Sequence, residues 1–101
     1  MTELRIVYSA EARADLRALE DHIAERDGQL RADMVLGRIE ETIHILAFMP
    51  GMGRPRPYLR EGTRAFAVAP WTVIYEPLPE LDGIRVIRVV DGRRDLPEIF
   101  R

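Results

Sequence analysis

Two stretches in the last third of the chain, Arg64-Ala-Phe-Ala-Val-Ala-Pro-Trp-Thr-Val-Ile-Tyr75 and Ile84-Arg-Val-Ile-Arg-Val-Val90, carry apolar residues at odd and even positions alike. Successive side chains of a strand point to opposite faces, so strands of this composition make a sheet that is apolar on both sides. Only two helical segments precede them, and two helices screen one side of a small sheet. The expectation is a second sheet face left for a partner to cover. At 101 residues there is one core and one domain, spanning 1–101, with modest reserves of stability.

Local signals place the remaining elements. Leu4 to Tyr8 reads as a strand, and Ser9 after it offers a hydroxyl as helix N-cap, with Glu11 in the first turn where negative charge suits the helix dipole. Ala12, Leu16, Leu19 and Ile23 then recur at helical spacing, and Gly28 ends the segment as an αL cap. A second helix runs from about Leu30 to Phe48, with Ala32, Val35, Leu36, Ile39, Ile43 and Leu46 as its stripe and Met34, Ile45 and Phe48 widening it. The tight turn at Asp27-Gly28 makes the helices antiparallel. Gly37 inside the second helix costs roughly 1 kcal/mol relative to Ala, and close approach to a neighbouring backbone would account for it.

Residues 50–62 break all periodicity with three Pro and three Gly. Strands follow at about 63–68, 71–76 and 84–90, the first two joined at Ala69-Pro70 and the last preceded by Asp82-Gly83. Asp95 and Glu98 have capping-box spacing around Pro97, which predicts a short helix over Leu96 to Phe100. The fold class is α+β: an N-terminal strand, then an antiparallel helix hairpin on one face of a mainly antiparallel sheet of about four strands, in the order β-α-α-β-β-β with a short C-terminal helix.

Composition excludes several classes of function. There is no Cys, hence no disulfide framework and no thiolate chemistry, and a reducing cytoplasm is the natural setting. No apolar run approaches the ~20 residues that span a bilayer. His22 and His44 lie on separate helices without further ligands at metal spacing, so neither a metal nor a cofactor is expected. A net charge of −2 argues against tight sequence-independent nucleic-acid binding. All fifteen basic residues are Arg, each a fork that grips carboxylate or phosphate but cannot serve as a general base.

The order strand, helix hairpin, three-stranded meander and tail carries local sequence that resembles the ParE/RelE toxin superfamily, on the ParE side. The residues concerned are Tyr8-Ser-Ala-Glu-Ala-Arg-Ala-Asp-Leu16, Ile23-Ala-Glu-Arg26, Phe48-Met-Pro-Gly-Met-Gly-Arg-Pro-Arg-Pro57, Thr63-Arg-Ala-Phe66, Val73-Ile-Tyr75 and Ile87-Arg-Val-Val-Asp-Gly-Arg-Arg-Asp-Leu96. The resemblance implies the toxin of a type II toxin–antitoxin module, neutralised by a ParD-like antitoxin and reaching DNA only through the antitoxin complex. RelE-like relatives cut mRNA on the ribosome, using basic residues on the sheet and often a Tyr near the carboxyl terminus. Here the matching tail position is Phe100 and no Lys is present. These departures favour the ParE mode, inhibition of DNA gyrase by binding; the alternatives are an mRNA endoribonuclease and a decayed toxin that retains only antitoxin binding.

Candidate site residues follow from pattern and resemblance together. Strand alternation sets Arg64 with Phe66 and Val68, and Arg88 with Ile84, Val86 and Val90, placing a charge among apolar neighbours. Each either snorkels or pairs with an acid such as Glu40 or Glu41, or else binds the target; Arg93, Arg94 and Asp95 join that target-binding set, Asp95 with a competing role as helix cap. In a nuclease, Arg64, Arg88, Arg93 and Arg94 would hold the scissile phosphate. For the antitoxin the candidates are Trp71, Tyr75, Arg54, Arg56, Phe48 and Ile45, with core packing the alternative for Trp71 and Tyr75 and a solvated loop the alternative for Arg54 and Arg56.

Overall fold

A computed structural model describes residues 4–80 and 82–92. The elements are β1 (Arg5–Tyr8), α1 (Ala10–Asp27), α2 (Gln29–Phe48), a single 3-10 turn (Pro50–Met52), β2 (Arg54–Pro55), β3 (Arg64–Val68), β4 (Trp71–Pro77) and β5 (Gly83–Asp91). They form a five-stranded sheet in the order β1-β5-β4-β3-β2, parallel between β1 and β5 and antiparallel elsewhere. The expected α+β architecture is present, with one strand more than the sequence suggested. That strand is the two-residue β2, inside the segment whose Pro and Gly content hid it. Arg93, Arg94, Asp95 and the short helix expected over Leu96 to Phe100 lie outside the described residues.

Ser9 starts α1 as anticipated. Its hydroxyl accepts from the Ala12 N–H at 2.9 Å and donates to the Ile87 carbonyl at 2.6 Å, so one side chain both caps the helix and ties it to β5. Gly28 alone separates the helices, at φ 92° and ψ 161°. The positive φ demands glycine, but the ψ is extended rather than αL, which turns the chain directly into α2 instead of closing a capping loop. Gly83 is the second position that requires glycine. Its φ is 147°, and it pairs with Arg5 so closely that a Cβ there would fall on the Arg5 carbonyl. The parallel β1–β5 pairing depends on that missing side chain.

The main core lies between the helix hairpin and one sheet face: Ala12, Leu19 and Ile23 from α1, Ala32, Ile39, Ile43 and Leu46 from α2, and Val73, Tyr75, Ile84, Val86 and Val89 from the sheet. Each fully buried isoleucine here contributes about 1.5–3 kcal/mol. The opposite sheet face departs from expectation. Ala65, Ile74, Ile87 and Val90 form a second buried cluster, with Leu59 from the β2–β3 loop packed against it. This chain covers its own second face at those positions, because the loop folds back and delivers a leucine onto the sheet. The need for a separate polypeptide to cover them falls away.

Alternation along β5 also breaks. Tyr75 faces Val86 but Ile74 faces Arg88, so Ile87 is an extra residue and the strand bulges there. Past the bulge Val89 joins the helix-side core and Val90 the other face, the reverse of what strict alternation predicts.

Candidate functional site

The bulge decides what Arg88 does. β1 ends opposite Val86, and one residue later the Ile87 carbonyl and then the Val89 N–H need partners. Ser9 takes the carbonyl and Asp15 of α1 accepts from the Val89 N–H at 2.9 Å. The same carboxylate accepts from Arg88 Nε at 2.7 Å and Nη2 at 3.0 Å, a two-pronged pair with both side chains mostly buried. The hydrogen bond to Asp15 raises the Arg88 pKa above its already high ordinary value, against the opposing effect of burial. Of the alternatives for Arg88, pairing with a helix acid is the one present, but the acid is Asp15 of α1 rather than one such as Glu40 or Glu41 of α2, because the bulge turns this part of β5 towards the start of the first helix. In sequence the signal was an acid three residues after Ala12 and four before Leu19, at the edge of the apolar stripe of α1.

Arg64 is half-buried at the end of β3, on the face of Phe66 and Val68 as alternation predicts. It reaches no acid. Its Nη1 donates to the Gly53 carbonyl at 2.7 Å and lies 3.5 Å from that of Gly51, so the cation holds the 50–53 turn instead of pairing with a helix.

The same turn is fixed from below by Tyr75, which is fully buried. Its hydroxyl accepts from the Gly53 N–H at 2.8 Å and donates to the Pro50 carbonyl at 2.7 Å. Burial raises the phenol pKa above 10.0, partly offset by the Gly53 N–H and the nearby Arg64 cation. Gly53 touches the ring so closely that a Cβ would overlap the hydroxyl. Core packing, not an anchor for a partner, is therefore what describes Tyr75.

With the turn held, β2 pairs with β3 through Arg54 opposite Ala65 and Pro55 opposite Arg64. A cleft of about 460 Å³ opens there, with Ala65, Ala67 and Thr72 among its lining and Arg54 and Arg56 beside them. Alanines at two alternate positions leave the space that larger strand residues would fill. Arg54 is exposed and forms no ion pair among the described residues; Arg56 Nη1 donates only to the Pro55 carbonyl, at 3.0 Å. Arg60 and Arg85 differ, since both approach the Glu76 carboxylate, at 3.9 and 3.5 Å.

The antitoxin candidates do not converge on one spot. Trp71 is half-buried against the main core and lines a cleft with Arg26, Asp27 and Arg31 near the hairpin turn. Phe48 is at the other end of α2, about 25 Å along the axis from Arg31 at 1.5 Å per residue. Phe48 and Ile45 are strongly exposed, at 76% and 45%, and with Leu30 and Met34 they make α2 apolar on its outer side as well as its inner one. Among the described residues most of the large exposed apolar side chains thus lie on α2 and in the segment after it, at Met49, Met52 and Tyr58, not in the strands. The over-wide stripe of α2 was the signature in the sequence of those on the helix. Gly37 also lies on α2 with nothing within 4 Å of where its Cβ would be, so close approach to a backbone among the described residues does not account for it. His22 and His44 are exposed, and no group of three or more potential metal ligands occurs among the described residues. No helix among them is long and apolar enough to cross a membrane.

Comparison with known proteins bears on what such an arrangement belongs to. Toxin ParE3 of Caulobacter vibrioides is 35% identical over 94 residues, covering 91% of this chain and 90% of that protein. A solved structure described as a chromosomal ParDE TA system from P. aeruginosa superposes with a TM-score of 0.73 at 22% identity, over 87% of this chain and 95% of that one, a likeness of fold. The model of the family described as the ParE toxin of type II toxin–antitoxin systems, parDE, matches residues 6–96. With the hairpin-on-sheet architecture and nearly the whole chain matched, the protein belongs to the ParE toxin family of type II toxin–antitoxin systems.

Proposed function

We propose that this toxin acts by binding DNA gyrase and is held inactive by a ParD-like antitoxin. The observation that carries the choice against RNA cleavage is the engagement of Arg64 and Arg88. A nuclease of this fold would use strand cations to stabilise charge on the scissile phosphate, and such groups must be free to meet it. Here Arg64 donates to the Gly53 carbonyl and Arg88 is held by Asp15, which makes both parts of the scaffold. The target-binding role is accordingly centred on Arg93, Arg94 and Asp95.

The antitoxin segment would be apolar where it meets Ile45 and Phe48 and acidic where it meets Arg54 and Arg56, with Trp71 a separate contact near the hairpin turn. Large exposed aromatics and unpaired arginines are the side chains that dominate binding energy at such interfaces. The direct test is purified toxin with gyrase, DNA and ATP. Inhibited supercoiling with trapped cleavage complexes is expected, relieved by antitoxin; unaltered supercoiling at excess toxin removes the gyrase reading. Codon-dependent mRNA cuts on induction would replace it with the nuclease.

A further inference from the structure

We infer that the free toxin associates with a second copy of itself through the outer face of α2, as an antiparallel two-fold dimer. At 100° per residue, Leu30, Met34, Glu41, Ile45 and Phe48 fall within about 60° of one another, with Arg38 at the border of the arc. The buried residues Ala32, Ile39, Ile43 and Leu46 occupy the opposite side. The outer arc is strongly exposed: 76% at Leu30, 55% at Met34 and 45% at Ile45. α1 shows no such face; Glu11, Arg13, Arg17, Asp21 and Glu25 are the solvated side of that helix. A helix apolar on both sides is one built to be covered twice.

The occupant follows from the arrangement of the arc, which is self-complementary. Turned end for end about a point between Ile39 and Glu40, a second α2 sets its Ile45 level with Met34 and its Phe48 nearly level with Leu30. At the centre, Glu41 of the second copy comes level with Arg38. Two-fold symmetry repeats each contact, giving apolar layers on both sides of a central pair of opposite charges. Among the described residues neither Arg38 nor Glu41 forms an ion pair, so both charges are available. An antitoxin covering Ile45 and Phe48 would compete for the same arc, so antitoxin binding and self-association exclude each other. The inference does not depend on gyrase as target.

Sedimentation equilibrium of the free chain, from micromolar to hundreds of micromolar, tests it. A reversible monomer–dimer equilibrium is expected. Arg38→Glu alone, or Glu41→Arg alone, puts like charges across the axis and weakens the dimer about tenfold or more, while the double Arg38→Glu/Glu41→Arg restores it to within about threefold. All of these positions are exposed, and far-ultraviolet circular dichroism checks that each variant folds. A monomer at every concentration, or a double variant no better than the singles, overturns the inference. So does a dimer indifferent to these charges, which would use another face, or a monomeric chain whose single variants lose antitoxin binding, which would assign the arc to the antitoxin. None of these outcomes alters the supercoiling result, so the two readings fail separately.

Discussion

If Arg88 is part of the scaffold, its free energy is shared with Asp15, and a double-mutant cycle measures the share. The carboxylate receives three N–H bonds, at 2.7 and 3.0 Å from Arg88 and 2.9 Å from the Val89 backbone. The two side chains are 22% and 15% exposed, which places the pair between a solvated ion pair worth under about 1 kcal/mol and a buried one whose breakage costs about 3–5 kcal/mol. An intermediate figure of about 2 kcal/mol suits Arg88→Ala, since Asp15 keeps the Val89 N–H and some water. Asp15→Ala costs about 3 kcal/mol, because it also leaves that N–H without its partner, worth about 1 kcal/mol more. The double variant then costs no more than Asp15→Ala alone, and the coupling energy is about 2 kcal/mol. Urea unfolding followed by circular dichroism gives all three values. Additive losses, with the double near 5 kcal/mol, or an Arg88→Ala cost below about 0.5 kcal/mol, would refute the pairing and return Arg88 to the target-binding set.

Two further perturbations test the turn and the sheet edge. Tyr75→Phe removes the hydroxyl that serves both Gly53 and Pro50, and should cost about 2–3 kcal/mol in the same unfolding assay; a loss under about 0.5 kcal/mol would mean the turn is held by Arg64 alone. Burial raises the pKa of both Tyr75 and Tyr8 above 10.0, so the folded state keeps these protons longer than the unfolded chain does. Their contribution to stability is therefore fully present below pH 10.0 and is lost as pH rises through the raised folded values. Wild-type stability should fall above that pH more steeply than that of Tyr75→Phe, and parallel curves would contradict it. Gly83→Ala forces a Cβ onto the Arg5 carbonyl at a positive φ, and should detach β1 at a cost of about 2 kcal/mol or more, read by faster hydrogen exchange of β1 amides; unchanged protection would refute the account of that edge.

Much of this molecule is local in origin. Ser9 as N-cap, the 12-16-19-23 stripe and the Pro/Gly boundaries of the strands all depend on neighbours within one turn or one hairpin, and all are present where the sequence predicts them. The candidate site was legible only in part. Arg54, Ile45 and Phe48 lie in the open and Arg56 is half-buried, whereas Tyr75 and Arg64 support the 50–53 turn, a role set by contacts 11 to 25 residues away in the chain. The role of Asp15 has no local origin, because its partners on β5 are 73 and 74 residues distant.

The amino-acid order by itself determined the helix hairpin, the meander and the surplus of apolar surface, since periodicity and turn chemistry act over a few residues and area is a matter of composition. Where that surplus lies was a tertiary decision. One inserted residue at Ile87 exchanged the faces of β5 from Val89 onward, and one returning loop laid Leu59 on the sheet, which leaves most of the large exposed apolar side chains on the outer side of α2 and in the segment after it. Bulges and loop returns are fixed by packing between distant segments, and a one-residue shift in a two-residue period exchanges inside for outside.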